Sequence, residues 1–281
     1  MSREPQGFVT FAQNTASVDY LELAYLQALN IKATQKNNRY AVIVDAATRE
    51  KVNDLHRNTF DYIIDLPTDN NDPSSNWKLA NEYQALRLSP FKETVKLESD
   101  LLFTGSIDHW WPAFRLRNIV LSTGCKNYQG KPSDVRKYRQ FFDDNELPDV
   151  YNGLMYFRYS QEAFNFFALA ETVYRNWAEV RDLFKNCREE TPSTDVLYAV
   201  TALLIGEELC TIPSMDFINF VHMKSGIQNW SDARSWLETV VAERDGDMIR
   251  INNQNQYHPV HYYDKKYATK ELIEYYESRR N

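Results

Sequence analysis

The sequence predicts an α/β protein, with a mostly parallel central sheet covered by helices on both faces. Two observations carry that expectation. Short apolar runs at residues 7–12, 40–44 and 62–66 alternate with stretches of helical periodicity, the order of a parallel sheet whose strands are buried on both faces. The first two runs end on polar residues, Gln13-Asn14 and Asp45, and polar tips on buried strands suit a ligand at the carboxyl edge of such a sheet. Neither G-x-G-x-x-G nor G-x-x-x-x-G-K-S/T occurs, so a dinucleotide fingerprint and a P-loop are both absent.

Taken in order, Gly7-Phe8-Val9-Thr10-Phe11-Ala12 reads as the first strand. Ser17 offers an N-cap to a helix in which Leu21, Leu23, Ala24, Leu26, Ala28 and Leu29 give a broad apolar face. Tyr40-Ala41-Val42-Ile43-Val44 is the second strand, residues 50–58 a helix, and residues 62–66 the third strand. A turn-rich loop at 69–75 leads to a helix over 77–88, ended by Ser89-Pro90. An acidic strand follows at 93–103, then strands at 119–122 and 151–157 separated by a polar loop over 126–139. Helices are expected at 161–184, rich in aromatics that serve the core, at 196–205, and at 269–280, where the face is charged.

Length and composition exclude several classes. A chain of 281 residues with 43% hydrophobic content can bury one large core. A net charge of −7 argues against a general polyanion binder, although a local basic patch is compatible with it. Cys125, Cys187 and Cys210 are scattered, odd in number and without C-x-x-C spacing, so neither a zinc knuckle nor a disulfide framework is expected. The first residues lack an apolar signal core, and the apolar run 197–205 is too short to span a bilayer. The expectation is a soluble, cytoplasmic protein.

The chemistry concentrates in Glu98-Ser99-Asp100. On a strand, residues at i and i+2 share a face, so the two acids point one way and Ser99 the other. A desolvated carboxylate pair repels itself and calls for a cation. Hard oxygen ligands suit Mn²⁺ or Mg²⁺, ions that commonly bridge protein carboxylates and a diphosphate. The competing account is an exposed edge strand with two solvated acids.

Further along, Asn152-Gly153-Leu154-Met155-Tyr156-Phe157, Thr194-Asp195 and the segment from Val221-His222-Met223-Lys224 to Trp230 fall in an order that resembles the retaining nucleotide-sugar glycosyltransferases of the GT-A fold, of the glycogenin-like and galactosyltransferase-like group. The resemblance spans about residues 7–230 and rests on motif order more than identity. It implies a Rossmann-like nucleotide-sugar half at 1–105, a mixed acceptor half at 106–263 and a C-terminal helix at 264–281, together a single domain. Glu98-Ser99-Asp100 stands where the family carries D-x-D. The resemblance thus implies Asp100, Glu98 and His222 as metal ligands, with Glu replacing the first Asp. His258 and His261 compete with His222, and an H-x-x-H pair on an extended segment points to opposite faces. Lys224 is implied to neutralise the leaving diphosphate, because the family's downstream Lys-Pro reads Gln228-Asn229 here. Asn152 borders the sugar pocket, and Asp195 is the carboxylate beside the transferring sugar, although the family's preceding Gln is Thr194. Phe11, Ala12, Gln13, Asn14 and Asp45, at the first two strand ends, are implied to hold the nucleotide, with Tyr20 able to stack on a ring and Lys78 near the donor phosphates. Donor and cofactor would then be a nucleoside-diphosphate sugar, UDP-sugar favoured, and Mn²⁺ or Mg²⁺.

The acceptor is least defined. Lys126, Lys131, Arg136, Lys137 and Arg139, with Tyr128 and Tyr138, form a basic and aromatic segment suited to phosphates and a splayed base, or simply to a solvated loop. Trp77, Ser89-Pro90-Phe91 and Asp108-His109-Trp110-Trp111, set around the acids, look similar to compact glycosyltransferases of tailed phages, some of which add sugars to hydroxymethylated pyrimidines. Double-stranded DNA with such bases therefore enters as a candidate acceptor, beside a glycan or a small molecule. A silent nucleotide-sugar or nucleic-acid binding module on the same fold is the alternative to an enzyme.

Overall fold

Nine-residue β1 (Glu4–Ala12) runs through the middle of the molecule. It pairs in parallel with β2 (Tyr40–Val44) on one side and with β4 (Phe91–Leu97) on the other, and β3 (Tyr62–Asp65) extends the sheet beyond β2. This computed structural model describes residues 2–72, 75, 78–132, 136–212, 218–224 and 235–279. After β5 (Leu101–Leu102) the chain returns to the main sheet through β6 (Ile119–Thr123) and β7 (Val150–Arg158), giving the order β3-β2-β1-β4-β7-β6. β7 is antiparallel to both β4 and β6. The mostly parallel sheet is therefore present, with one reversed strand, β7, set between β4 and β6, and it draws strands from both sides of residue 105.

Strand alternation sorts the core into two layers. Phe8, Tyr40, Val42, Val95 and Tyr156 belong to the layer that holds the helix Tyr20–Thr34, which is buried at Leu21 and at each residue from Leu23 to Ile31, and the helical turn Trp111–Phe114, on which Tyr156 stacks. Val9, Phe11, Ala41, Ile43 and Met155 face the other way, onto the helices Gln161–Arg175 and Thr194–Ile205. Gly7 is required where it is: a Cβ there would lie 2.4 Å from the Phe91 ring.

Several elements differ from expectation for local reasons. Asp19, not Ser17, caps the first helix, accepting from Glu22 N at 3.1 Å. The helix expected at 50–58 is two, Ala46–Arg49 and Asp54–Thr59, because Asn53 and His56 form a capping box that restarts the turn. Trp77 lies outside the described residues, and the helix expected from it reduces to a 3₁₀ turn at Glu82–Gln84 and Ala85–Leu88. Within the basic stretch, Arg136–Asp144 is helical rather than loop. The long aromatic helix stops at Arg175, where Asn176 closes it and Trp177–Val180 begins.

Two smaller sheets complete the chain. β8 (Val221–His222) and β12 (Val260–His261) join β5 in the order β5-β12-β8, while β9 (Ala242–Asp245), β10 (Met248–Ile251) and β11 (Gln254–Gln256) form an antiparallel sheet. The helix Lys270–Glu277 packs back on the first helix: Asn30 Nδ2 donates to Tyr276 Oη at 2.8 Å and Tyr25 Oη to Glu277 Oε1 at 2.7 Å. Among the described residues no helix is long and apolar enough to cross a membrane.

Candidate active site

At the carboxyl ends of β1 and β4 lies a cavity of about 770 Å³. Its acids sit on a turn rather than a strand: β4 ends at Leu97, and Glu98-Ser99-Asp100 links it to β5 in another sheet. That turn is held from several sides. Buried Gln27, fixed by the Tyr40 hydroxyl at 2.9 Å, donates to Glu98 O at 2.7 Å and to Leu101 O at 2.8 Å. Glu98 N donates to Gly153 O at 3.0 Å, and Tyr262 N to Asp100 O at 3.0 Å. Asp100 is 3% exposed, so the account with two solvated acids on an edge does not describe this site.

The small sheet delivers the imidazoles. β12 pairs His261 with Leu101 across β5 and with His222 across β8. His261 Nε2 thereby comes within 3.0 Å of both Glu98 Oε2 and Asp100 Oδ2. His222 lies behind it, its ring stacked on His261 with centroids 4.6 Å apart and an interplanar angle of 7°. His261, weighed as a rival from sequence, thus makes the contact expected of His222, although both line the cavity; His258 does not. Lys265, unforeseen, forms an ion pair with Asp100 Oδ2. Tyr263 lies between Lys224 and Lys265, which sit 5.2 and 5.3 Å from its ring centroid, and its φ of 55° is rare for an aromatic residue.

Charge and burial compete throughout this cluster. Burial would raise Asp100, but His261 and Lys265 outweigh it and hold the carboxyl well below the usual range; Glu98 is lowered on the same balance, chiefly by His261. Burial would discharge His261, yet the two acids lift it to about 9. His222 goes the other way, pushed well below its ordinary value by burial and then by the charge on His261. Burial also lowers Lys224, against the pull of Asp195 and Glu98.

Glu98, Asp100 and His261 each offer a ligand atom, all within 4.8 Å of one another. Two carboxylates and an imidazole suit Mn²⁺ or Mg²⁺. The set fits such an ion once His261 gives up its Nε2 proton and Lys265 leaves Asp100, a release that couples binding to pH. Among the described residues His261 Nδ1 is buried without a hydrogen-bond partner.

A second group of polar residues lies across the cavity. Ser193 caps the helix Thr194–Ile205, which sets Asp195 in its first turn. Asp195 Oδ1 accepts from Asn152 N at 2.8 Å and Oδ2 from Arg139 Nη1 at 3.2 Å. Burial raises the Asp195 carboxyl, with Arg139 opposing. Arg139 is 1% exposed, with Phe142 and Tyr151 ring centroids at 3.5 and 4.0 Å and the Val150 carbonyl at 2.7 Å. It is therefore a wall of the cavity and not a surface cation for nucleic acid. Gly153, on the same strand, admits the Phe220 ring, since a Cβ there would lie 2.6 Å from Phe220 Cζ. Asn152 Nδ2 in turn donates at 2.6 Å to Glu82, a buried carboxylate that no local pattern in the sequence marks.

The remaining sequence candidates divide. Phe11, Gln13, Tyr20, Lys78 and Ser99 line the cavity, joined by Asn71, whose Nδ2 donates to Gln13 Oε1 at 3.4 Å. Ala12, Asn14 and Asp45 do not line it. Asp45 caps the short helix Ala46–Arg49 through Thr48 N at 2.8 Å and accepts from the lining residue Gln13 at 3.4 Å, while Asn14 Oδ1 accepts from Leu21 N at 2.9 Å. Residues 225–230, which held the rest of the late motif, lie outside the described residues, as do the side chains of residues 136–138.

No protein-family model and no curated protein matches the sequence. Solved structures do match in shape. The galactosyltransferase LgtC, in complex with donor and acceptor sugar analogs, superposes with a TM-score of 0.55 at 12% identity, over 97% of this chain and 95% of that one. An active-site mutant of LgtC gives 0.54 at 11% identity, over 96% and 94%. Mouse xyloside xylosyltransferase 1 matches at 0.48 and 11% identity, over 74% of this chain and 84% of that one. The chain has the fold of GT-A glycosyltransferases.

Proposed function

We propose that this protein is a metal-dependent glycosyltransferase that moves a sugar from a nucleoside-diphosphate sugar, in the first place a UDP-sugar, to a hydroxyl. One observation carries the reading: in this fold, Glu98, Asp100 and His261 converge at the carboxyl end of β4, on the wall of a cavity large enough for such a donor. The nucleoside lies toward Phe11, Gln13, Tyr20 and Asn71, the diphosphate at the acids, and the sugar toward Asn152 and Asp195.

Glu98, Asp100 and His261 are the residues to hold Mn²⁺ or Mg²⁺, with His261 in the place first assigned to His222. The ion supplies positive charge beside the departing diphosphate. Lys265 and Lys224 add cations on the same side, released from Asp100 and Tyr263 to the phosphate oxygens. As the bond between the anomeric carbon and the diphosphate oxygen breaks, the carbon gains positive character, and the Asp195 carboxylate steadies it while the acceptor oxygen bonds and passes its proton to the departing diphosphate oxygen. Asn152 fixes Asp195 through its backbone and borders the sugar through its side chain. We read the outcome as retention of configuration. With Arg139 turned inward, a hydroxymethylated-DNA acceptor rests on Lys126 and Lys131 among the described side chains, which favours a glycan or small-molecule hydroxyl.

The test is release of UDP from UDP-hexoses with Mn²⁺, with EDTA, and after Asp100→Asn. Turnover should need the metal and fall by about a hundredfold or more in the variant, as loss of one charge-stabilising group commonly does. Turnover untouched by EDTA would overturn the metal assignment. Mass analysis of hydroxymethylcytosine DNA after incubation with a turned-over donor decides that acceptor.

A further inference from the structure

We propose that Glu82 selects the donor sugar, admitting a neutral or cationic sugar and rejecting an acidic one; the inference rests on the nucleotide-sugar reading above. Glu82 is 5% exposed and lines the cavity. Its Oε2 is committed, forming an ion pair with fully buried Lys96 and accepting from Asn152 Nδ2 at 2.6 Å. Among the described residues its Oε1 accepts no hydrogen bond. Lys96 does not line the cavity, so the cation stands behind the carboxylate and the carboxylate faces the space.

Position follows from connectivity. Asn152 bonds Asp195 through its backbone N–H and Glu82 through its side chain, so the two carboxylates flank one residue on the same wall. That wall offers acceptors in the carboxylates of Glu82 and Asp195, and beside them lies the buried Asn152 Oδ1, which has no hydrogen-bond partner among the described residues. Sugar hydroxyls donate to such groups, and a hydroxyl on an ionised carboxylate makes a charge-assisted bond. A uronic acid would bring a third carboxylate to the same wall, where Arg139 is already engaged by Asp195 and Asp149 and Lys96 stands behind Glu82, and meet repulsion from the face of Glu82 turned to the cavity. Discrimination of this kind works against the wrong ligand, not only for the right one.

Binding of UDP, UDP-glucose and UDP-glucuronate, measured by calorimetry with Mn²⁺, tests this. The wild type should bind UDP-glucose at least about tenfold tighter than UDP-glucuronate, the scale expected of like charges in one pocket. Glu82→Gln alone strands the Lys96 ammonium, so the double variant Glu82→Gln/Lys96→Met is the second arm. In it the preference should shrink to about threefold or less while UDP affinity holds. Equal affinity for the two sugars in the wild type, or a preference that survives in the double variant, overturns the role of Glu82 and leaves the nucleotide reading standing. A wild type that binds none of the three overturns the nucleotide reading and this inference with it.

Discussion

Arg139 sits between two carboxylates of unequal worth. Asp149, at 2.7 Å, is 48% exposed, so solvent screens most of that contact. Asp195, with 19% of its side chain exposed, depends on Arg139 for its only described cation within ion-pair distance. Arg139→Met should therefore lower stability by about 3–5 kcal/mol, the usual cost of leaving a buried charge alone, and much of that should return in Arg139→Met/Asp195→Asn. Urea unfolding of the three proteins measures it; a single-variant loss under about 1 kcal/mol would mean that Asp195 is held by other means. At this scale the sequence was partly legible. Glu98 and Asp100 announce themselves by their spacing within an apolar run, and Asp195 by the family order. Arg139 reads as one of several basic residues, because no spacing reveals that its stem passes between two rings. Glu82 and Lys96 carry no mark in the sequence, since their pairing exists only in the folded chain, where the Glu82–Gln84 turn meets β4.

At the scale of elements, the restart of the chain at Asn53 shows a cap with a titratable member. Asn53 Oδ1 accepts from His56 N at 3.3 Å, and His56 Nδ1 accepts from Asn53 N at 3.2 Å. The ring stacks on Phe60 and meets Tyr25 edge-on. Burial lowers the His56 pKa from 6.5, with Asp19 opposing. The sign follows: the unfolded chain takes up the proton first, so this contribution is whole above the ordinary value and is lost as pH falls from there toward the depressed folded value. A protonated Nδ1 also cannot accept from Asn53. Between pH 7 and pH 5 the wild type should lose about 0.5–1 kcal/mol more than His56→Gln, which keeps a box-forming side chain without the titration. Parallel curves for the two proteins across that range would remove the effect. The long apolar strands and helices were legible for the reason the cap was not: periodicity over many residues outweighs local chemistry. The two-residue strands β8 and β12 carry no such periodicity, and only the pairing of β12 with β5, and of β8 with β12, decides which histidine meets the acids.

For the whole molecule, the cavity joins parts of the chain that share no single element: the tip of β1, the turn after β4, β7, the start of the helix at Thr194, and the segment from His261 to Lys265. A donor bound there ties the small sheet to the large one. Because it binds the folded chain and not the unfolded one, UDP with Mn²⁺ at a hundred times its dissociation constant should add about 2.7 kcal/mol, a rise in Tm of roughly 5–10 °C for a domain of this size. The gain should also be local. Amide exchange should slow at residues 98–102, 221–223 and 260–265, where Tyr262 N, His222 N and Met223 N hold the small sheet to its neighbours. The sheet of β9, β10 and β11 supplies no residue to the cavity and should exchange as before. Slowing spread evenly over the chain would place the ligand's effect in global stability alone. No slowing at 260–265, with the Tm raised, would put the nucleotide somewhere other than beside His261, and the assignment of that histidine would fall with it.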